Sequence, residues 1–429
     1  MDGYLVDLAR SFEATPDRVG PKTATLARLR RGGLPVPDGV CLTAAAYRAQ
    51  LAAAGVEEPA RCVATAQGFE RRRLALEVRL AFQRSPLAPE VAAALSDAWA
   101  RIIAEAGTLV AVRSSALLED TPAASFAGQF DTFLGVGSEA DLITAIRACW
   151  AALWAPRALD YMETHGVDPA SIAMAVLIQR LVPARAAGGA LSRTPDGDVL
   201  LTGTWGLGSA VAQGEVVPDR FVVRRDGTLA DAIPGHKDRL VRASGDGPQP
   251  YPVRPDLVEA PCLDAEQAVA LARLAMAADD LLGPVEVEWA LGDDGFQILQ
   301  ARPLRVERAR APDALWLRHR ALRGQPAGVG WGSGKACIVL TEHDLHRVEA
   351  GDVVVTRVAG PALTAVLARV AGVVAELGGS TSHLAALARE RAIPAVLGVA
   401  GATRSIPHGA MVAVDGVAGV VRLAAPSPA

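Results

Sequence analysis

At 429 residues, 51% of them apolar, the chain is long enough for two to three domains with substantial buried cores. Its 43 basic residues (Lys and Arg) against 47 acidic ones leave a net charge of −4, which excludes the basic footprint of a nucleic-acid binder. No apolar run reaches the ~18 residues of a membrane helix, and the N-terminus, MDGYLVDLARSF, has acids where a signal peptide needs a continuous apolar stretch. The cysteines (Cys41, Cys62, Cys149, Cys262 and Cys337) are scattered and form no CxxC pair. That pattern predicts reduced thiols in a cytoplasmic protein, with neither a disulfide frame nor a zinc site.

Taken in order, the first signal is a glycine turn. Gly20-Pro21-Lys22 precedes a helix-like run, 23–31, that ends at Gly32-Gly33; a short strand follows at 39–42. A lysine that opens a helix after such a turn reaches a phosphate, though the same residue also serves as a plain surface charge. Residues 51–105 are mostly helix formers, with Arg71-Arg72-Arg73 on a solvated face. LVAVRSSALLEDTPAASFAGQFDTFLGV, 109–136, begins with a buried strand at 109–112 and sets Arg113 at its end, where α/β proteins place ligands. Ser125, Gly128, Gln129 and Thr132 then make a small polar loop whose backbone N–H groups can approach phosphates, and Arg113 can bind them in bidentate fashion; a structural arginine is the other reading.

Residues 138–165 read as a helix that turns Trp150 and Trp154 to a core, and 174–182 as an apolar strand with a polar break at Gln179-Arg180. A helix is predicted over 264–282. Residues 283–304 form a hairpin: 285–290 alternates, Gly292-Asp293-Asp294-Gly295 turns, and 296–300 returns. Period two puts Glu286, Glu288 and Ala290 on one face and brings Glu288 into the neighbourhood of Gln300 and Arg302. Carboxylate and amide oxygens suit a magnesium ion, and arginine suits its phosphates; a surface hairpin is the plain alternative.

Residues 305–323 are charged and interrupted by proline, as a linker is. From Gly324 short strands alternate with glycine turns around one or two helices. Within them lies GGSTSHLAALARERAIP, 378–394. Leu384, Leu387 and Ala388 fall at helix spacing, and a hydroxyl residue precedes the run as an N-cap. His383 therefore stands at or near a helix N-terminus, beside unpaired N–H groups that suit an anion. The site favours a neutral imidazole, for which the reference pKa is ~6.5, or an imidazole carrying a phosphoryl group. A histidine that merely caps or packs is the other reading.

These motifs resemble the phosphoenolpyruvate-utilising enzymes, the pyruvate phosphate dikinase family. GGSTSHLAALARERAIPAVLG is similar to that family's phosphohistidine motif. VRSSALLEDTPAASFAGQFDTFLGV and the Glu288…Gln300-x-Arg302-Pro303 hairpin resemble its nucleotide domain, with departures at Pro21 and at Ser192-Arg193. The resemblance implies a mixed fold of α/β and α+β domains: a two-lobed ATP-grasp domain at 1–305, a linker at 306–323, and a swivelling β/β/α phosphohistidine domain at 324–429. It implies catalytic roles for His383, Arg113, Arg302 and Thr381. It implies ATP contacts from Lys22, Arg113, Gly128, Thr132, Gln179 (the adenine edge), Glu288, Gln300 and Arg302, and Mg²⁺ on Glu288 and Gln300.

In that family ATP gives its β-phosphoryl group to the histidine, leaving AMP, and the histidine domain swings to an acceptor. Inorganic phosphate is released or, in one branch, consumed. No stretch here resembles the family's phosphoenolpyruvate/pyruvate barrel. The acceptor, a small molecule or a protein, is then expected at the domain interface or on a partner subunit. The alternative is a phosphocarrier or regulatory subunit that passes phosphate only to another protein. An ATP-grasp ligase is a third reading, against which the His383 motif speaks.

Overall fold

The computed structural model describes residues 3–9, 12–102, 108–119, 130, 132–245, 247–306, 321–358 and 360–423. The chain divides into two units. One comprises Met1–Pro183, Arg242–Gln249 and Gly295–Pro303; the other comprises Ala184–Val241, Pro250–Asp294 and Leu304–Ala429. Among the described residues no helix is long and apolar enough to cross a membrane. The fold is mixed α/β throughout.

In the first unit, β1 (Leu5–Asp7), α1 (Pro16–Arg31) and β2 (Gly39–Leu42) come first. They are followed by α2 (Ala44–Ala53), α3 (Glu57–Cys62), α4 (Gly68–Arg84) and α5 (Pro89–Ile102). Then come β3 (Val110–Ala116), β4 (Thr132–Val136), α6 (Glu139–Ala152), α7 (Pro156–Thr164) and β5 (Met174–Arg180). The five strands form an antiparallel sheet in the order β1-β2-β5-β3-β4. Its strands β5 and β3 are buried along their length except at Arg180, so β3 keeps Arg113, Ser114 and Ser115 away from bulk water. Tyr47 and Phe82 stack at 5.1 Å, and Trp150 sits 5.8 Å from Phe82. The indoles do not strand their N–H groups: Trp150 donates to the Met174 carbonyl at 3.1 Å and Trp154 to the Tyr47 hydroxyl at 2.9 Å. Burial pushes the Cys41 thiol up to about 12, so it stays protonated.

Three expectations change. The strand read at 109–112 runs on to Ala116, so Arg113 lies inside it rather than at its end. Pairing with both β4 and β5 holds Arg113, Ser114 and Ser115 extended. The helix read over 138–165 is two, because the ring of Pro156 starts a new first turn. At the other end, α1 begins seven residues earlier than the run at 23–31, but it breaks at Gly20 (φ 75°, ψ 157°). A Cβ there would meet Ser115 at 2.4 Å, so only glycine fits. Pro21 then reopens the helix one residue before Lys22.

The second unit holds β6 (Ala186–Leu191), β7 (Val199–Trp205), α8 (Ser209–Ala212), β8 (Asp219–Val223) and β9 (Leu229–Ile233). β10 (Arg239–Ser244) and β11 (Gly247–Pro252) lie astride the boundary between the units. α9 (Ala265–Leu282) follows, opened by a capping box of Asp264 and Gln267, and then β12 (Val285–Gly292). β13 (Gly295–Pro303) belongs to the first unit. Strands β12-β6-β7-β8-β9 are consecutive neighbours, all antiparallel.

Their register sorts the residues onto two faces. Glu288 lies opposite Gly189, which lies opposite Thr202, and Glu286 lies opposite Leu191. Directly opposed residues share a face, and so do residues two apart. Glu286, Glu288, Gly189, Thr202 and Thr204 therefore share one face. Trp289 and Gly203 occupy the other: a Cβ on Gly203 would meet Trp289 at 3.1 Å and Cys262 at 2.7 Å.

The rest of this unit is β14 (Ala321–Arg323), β15 (Gln325–Pro326), β16 (Trp331–Val339), β17 (Val353–Thr356), α10 (Thr364–Leu367) and β18 (Gly372–Ala375). α11 (His383–Glu390), β19 (Ala395–Leu397), α12 (Ala402–Ser405), β20 (Met411–Asp415) and β21 (Val420–Leu423) complete it. Its eight-stranded sheet runs β14-β21-β20-β16-β17-β18-β19-β15, with β16 to β19 parallel. Parallel strands are covered on both faces, and β17 and β18 read accordingly as VVVT and GVVA, fully buried. The second unit thus joins strands from the 1–305 segment to the 324–429 segment.

α11 ends in a left-handed residue that is not glycine. Ala392 has φ 53°, and the N–H of Ile393 returns to the Ala388 carbonyl at 2.8 Å. An alanine Cβ is strained there. Ala392→Gly is expected to stabilise the protein by about 1 kcal/mol, read as a higher urea midpoint at unchanged slope.

Candidate active site

In the first unit, Arg113 gathers part of the expected site. Its guanidinium donates to the Leu299 carbonyl at 2.5 Å and to Gln300 Oε1 at 2.7 Å. Arg302, two residues beyond Gln300 on β13, is half-buried. Thr132 lies opposite Arg113 in the β3–β4 ladder and is exposed.

Lys22, in α1, is buried against β3. Its Nζ donates to Glu119 Oε1 at 2.7 Å and to the Ser114 carbonyl at 3.0 Å. The other Glu119 oxygen accepts the Ala116 N–H at 3.1 Å. Glu119 thus ties the lysine to the end of β3 and leaves one of three ammonium protons for an anion. Gln179 sits inside the sheet, where its amide donates to the Pro37 carbonyl at 3.3 Å. Gly128 and the linker residues 307–320 lie outside the described residues.

In the second unit, His383 is the first residue of α11 and is exposed. Ser382 is the N-cap and accepts the Ala385 N–H at 3.3 Å. The loop ahead of it, Gly378 to Ser382, is seated on the sheet face that carries Glu288. Thr381 Oγ1 is 2.6 Å from Thr202 Oγ1, and a Cβ on Gly189 would strike Thr381 at 2.4 Å. Glu288 is the register partner of that same Gly189.

Gln325 braces the loop from behind. It accepts the Ser380 N–H at 3.2 Å and donates to the Pro218 carbonyl at 2.8 Å. Pro218 precedes Asp219, which is fully buried. Asp219 accepts from Lys237 Nζ at 2.5 Å, from the Gly235 N–H at 2.7 Å and from the Cys262 N–H at 2.7 Å.

The residues fit a magnesium–nucleotide on two counts. Thr204 Oγ1, on the Glu288 face, and Ser380 Oγ, in the histidine loop, are buried polar atoms with no hydrogen-bond partner among the described residues. Buried hydroxyls are seldom left so unless a ligand or water completes them. The donor types also suit the group: Glu288, in the second unit, offers a carboxylate, and Gln300, in the first, an amide oxygen, both of the hard kind that magnesium takes.

Residues 16–318 match the pyruvate phosphate dikinase AMP/ATP-binding domain, and residues 348–419 match the PEP-utilising enzyme mobile domain. The chain belongs to the pyruvate phosphate dikinase family. Phosphoenolpyruvate synthase of Aeropyrum pernix is 32% identical over 467 residues, spanning 94% of this chain and 56% of that enzyme. The Pyrococcus furiosus enzyme of the same name is 30% identical, with 94% and 56% covered. That of Neisseria meningitidis serogroup B is 30% identical, with 96% and 57% covered. The chain spans a little over half the length of these curated relatives. Overlap with D-alanine–D-alanine ligase from Bacillus anthracis is too slight to bear on the fold, at a TM-score of 0.27 and 10% identity over 68% of this chain and 55% of that one.

As a member of the dikinase family, the chain carries an ATP-binding domain and a mobile domain. Several residues that shape its site escape sequence reasoning. Thr202, Gly189, Gln325 and Arg389 carry no local signal. Glu286 had one, since alternation already set it beside Glu288, but its partner lies far along the chain.

Proposed function

We propose that this protein is an ATP-dependent phosphotransferase of dikinase type that carries the transferred phosphoryl group on His383. One observation carries the reading: His383 is exposed at a capped helix N-terminus whose leading loop sits on the strand face bearing Glu288. A histidine packed for structure alone would be buried and would need no such seat.

In this reading the imidazole of His383 attacks the β-phosphorus: an N–P bond forms as the bond from that phosphorus to the AMP oxygen breaks, and water then cleaves the β–γ anhydride and frees phosphate. Overall, ATP and water become AMP, phosphate and phosphohistidine. Bound Mg–ATP supplies the phosphoryl group and the metal's charge. Lys22, Arg113 and Arg302 offset the negative charge of the phosphates, which is most of what such transfers require. Glu288 and Gln300 would hold the metal. Gly128 and Thr132 approach the phosphates, and Gln179 and its neighbours form the adenine edge. Thr381 orients the loop through its bond to Thr202.

Segment 1–305 acts as the nucleotide domain, 306–323 as linker and 324–429 as carrier of His383. The acceptor is bound by this chain or by a partner subunit; the name of the relatives makes pyruvate the first to test. Free cysteines, four of them buried, suit the reducing cytoplasm. Incubation with Mg–ATP and analysis of the nucleotides tests the reading. AMP in step with phosphate is expected; ADP as the product would overturn it.

A further inference from the structure

α11 ends near an arginine that the proposed chemistry does not use. Arg389 is buried, and its guanidinium reaches in two directions. One nitrogen donates to the Ser380 carbonyl at 2.6 Å, inside the histidine loop, and to the Ala327 carbonyl at 3.4 Å. The other donates to Glu286 Oε2 at 2.7 Å, on β12. The side chains of Arg389 and Glu286 are only 9% and 6% exposed. Glu286 lies on the face that carries Glu288, two residues away, and that receives Thr381 at Gly189 and Thr202.

We propose that the Arg389–Glu286 pair is a latch that holds the histidine loop on its seat at Gly189 and Thr202. The inference rests on the reading above, in which the histidine domain visits the nucleotide lobe and leaves it. A buried ion pair adds little net stability relative to two hydrated ions, because desolvation offsets attraction. What it does strongly is select. With the Glu286 carboxylate neutralised, the Arg389 guanidinium loses its counter-ion in the seated state, so that state is the one penalised. With both partners present, the loop leaves at modest cost, because each charge regains water. Such a pair fixes position without making the domain stick. Arg389 acts as a positioning residue, because the same guanidinium that reaches Glu286 also shapes the loop at Ser380.

The test is disulfide trapping in the full chain, with no nucleotide. Thr202→Cys/Thr381→Cys places two thiols where two hydroxyls now touch, and mild oxidation is expected to link them. Adding Glu286→Gln leaves the bonds of Arg389 to Ser380 intact and is expected to slow linking by on the order of 10-fold or more. Adding Asp231→Asn instead removes the more exposed Arg220–Asp231 pair of the same unit and should leave the rate unchanged. Equal linking rates with and without the Glu286→Gln substitution would overturn the latch. So would equal slowing by the Asp231→Asn control, or no linking in any background. Trapping needs no ATP, so loss of AMP formation would sink the phosphotransfer reading while leaving this result standing.

Discussion

Replacing His383 by alanine is expected to lower ATP-dependent AMP release by at least about 10⁴-fold, the scale on which enzymes lose rate when a covalent nucleophile is removed. Acid-labile phosphate on the protein should vanish with it. The fold should not change. His383 is exposed, the cap of α11 comes from Ser382, and Thr202, Gln325 and Arg389 all bond to the loop. The thermal midpoint of the variant should therefore match that of the wild type. Full AMP release by His383→Ala would show that phosphate leaves ATP without passing through this residue.

The second large effect is on stability. Lys237→Met is expected to cost about 3–5 kcal/mol, read as a fall in the urea midpoint. Lys237 and Asp219 are both 0% exposed, and the ammonium sits on a carboxylate that two backbone N–H groups also hold. Methionine fills the volume and leaves the carboxylate buried without its counter-ion. Single domains typically have ~5–15 kcal/mol in all, so such a loss is a large share. The damage should reach the site as well, because Asp219 follows Pro218, whose carbonyl holds Gln325, which holds Ser380. A loss below about 1 kcal/mol would mean that this ion pair does not organise the lobe.

What was legible in the sequence is what local pattern determines. The hairpin at 285–303 follows from alternation around Gly292-Asp293-Asp294-Gly295, and β12 and β13 flank that turn. The helix after His383 and its Ser382 cap follow from spacing and one hydroxyl, both within a single turn. The position of Arg113 was less legible, since the length of β3 is set by pairing with β4 and β5 rather than by its own residues. Least legible were the bonds that seat the histidine loop. Thr202 and Thr381 are 179 residues apart, and Glu286 and Arg389 are 103 apart. No periodicity links such pairs. Arg389, in the last turn of α11, shows its role only through its burial in the fold, since arginine is almost never fully buried unpaired.

The most direct measurement is the fate of each phosphate. Mg–ATP labelled at either the β- or the γ-phosphorus is incubated with the full chain, and the protein is digested without acid. The account predicts β-label on the peptide that carries His383, with γ-label recovered as inorganic phosphate and AMP formed in step. Label from the γ-phosphorus on that peptide with ADP as the product, or no label on it at all, would contradict the account.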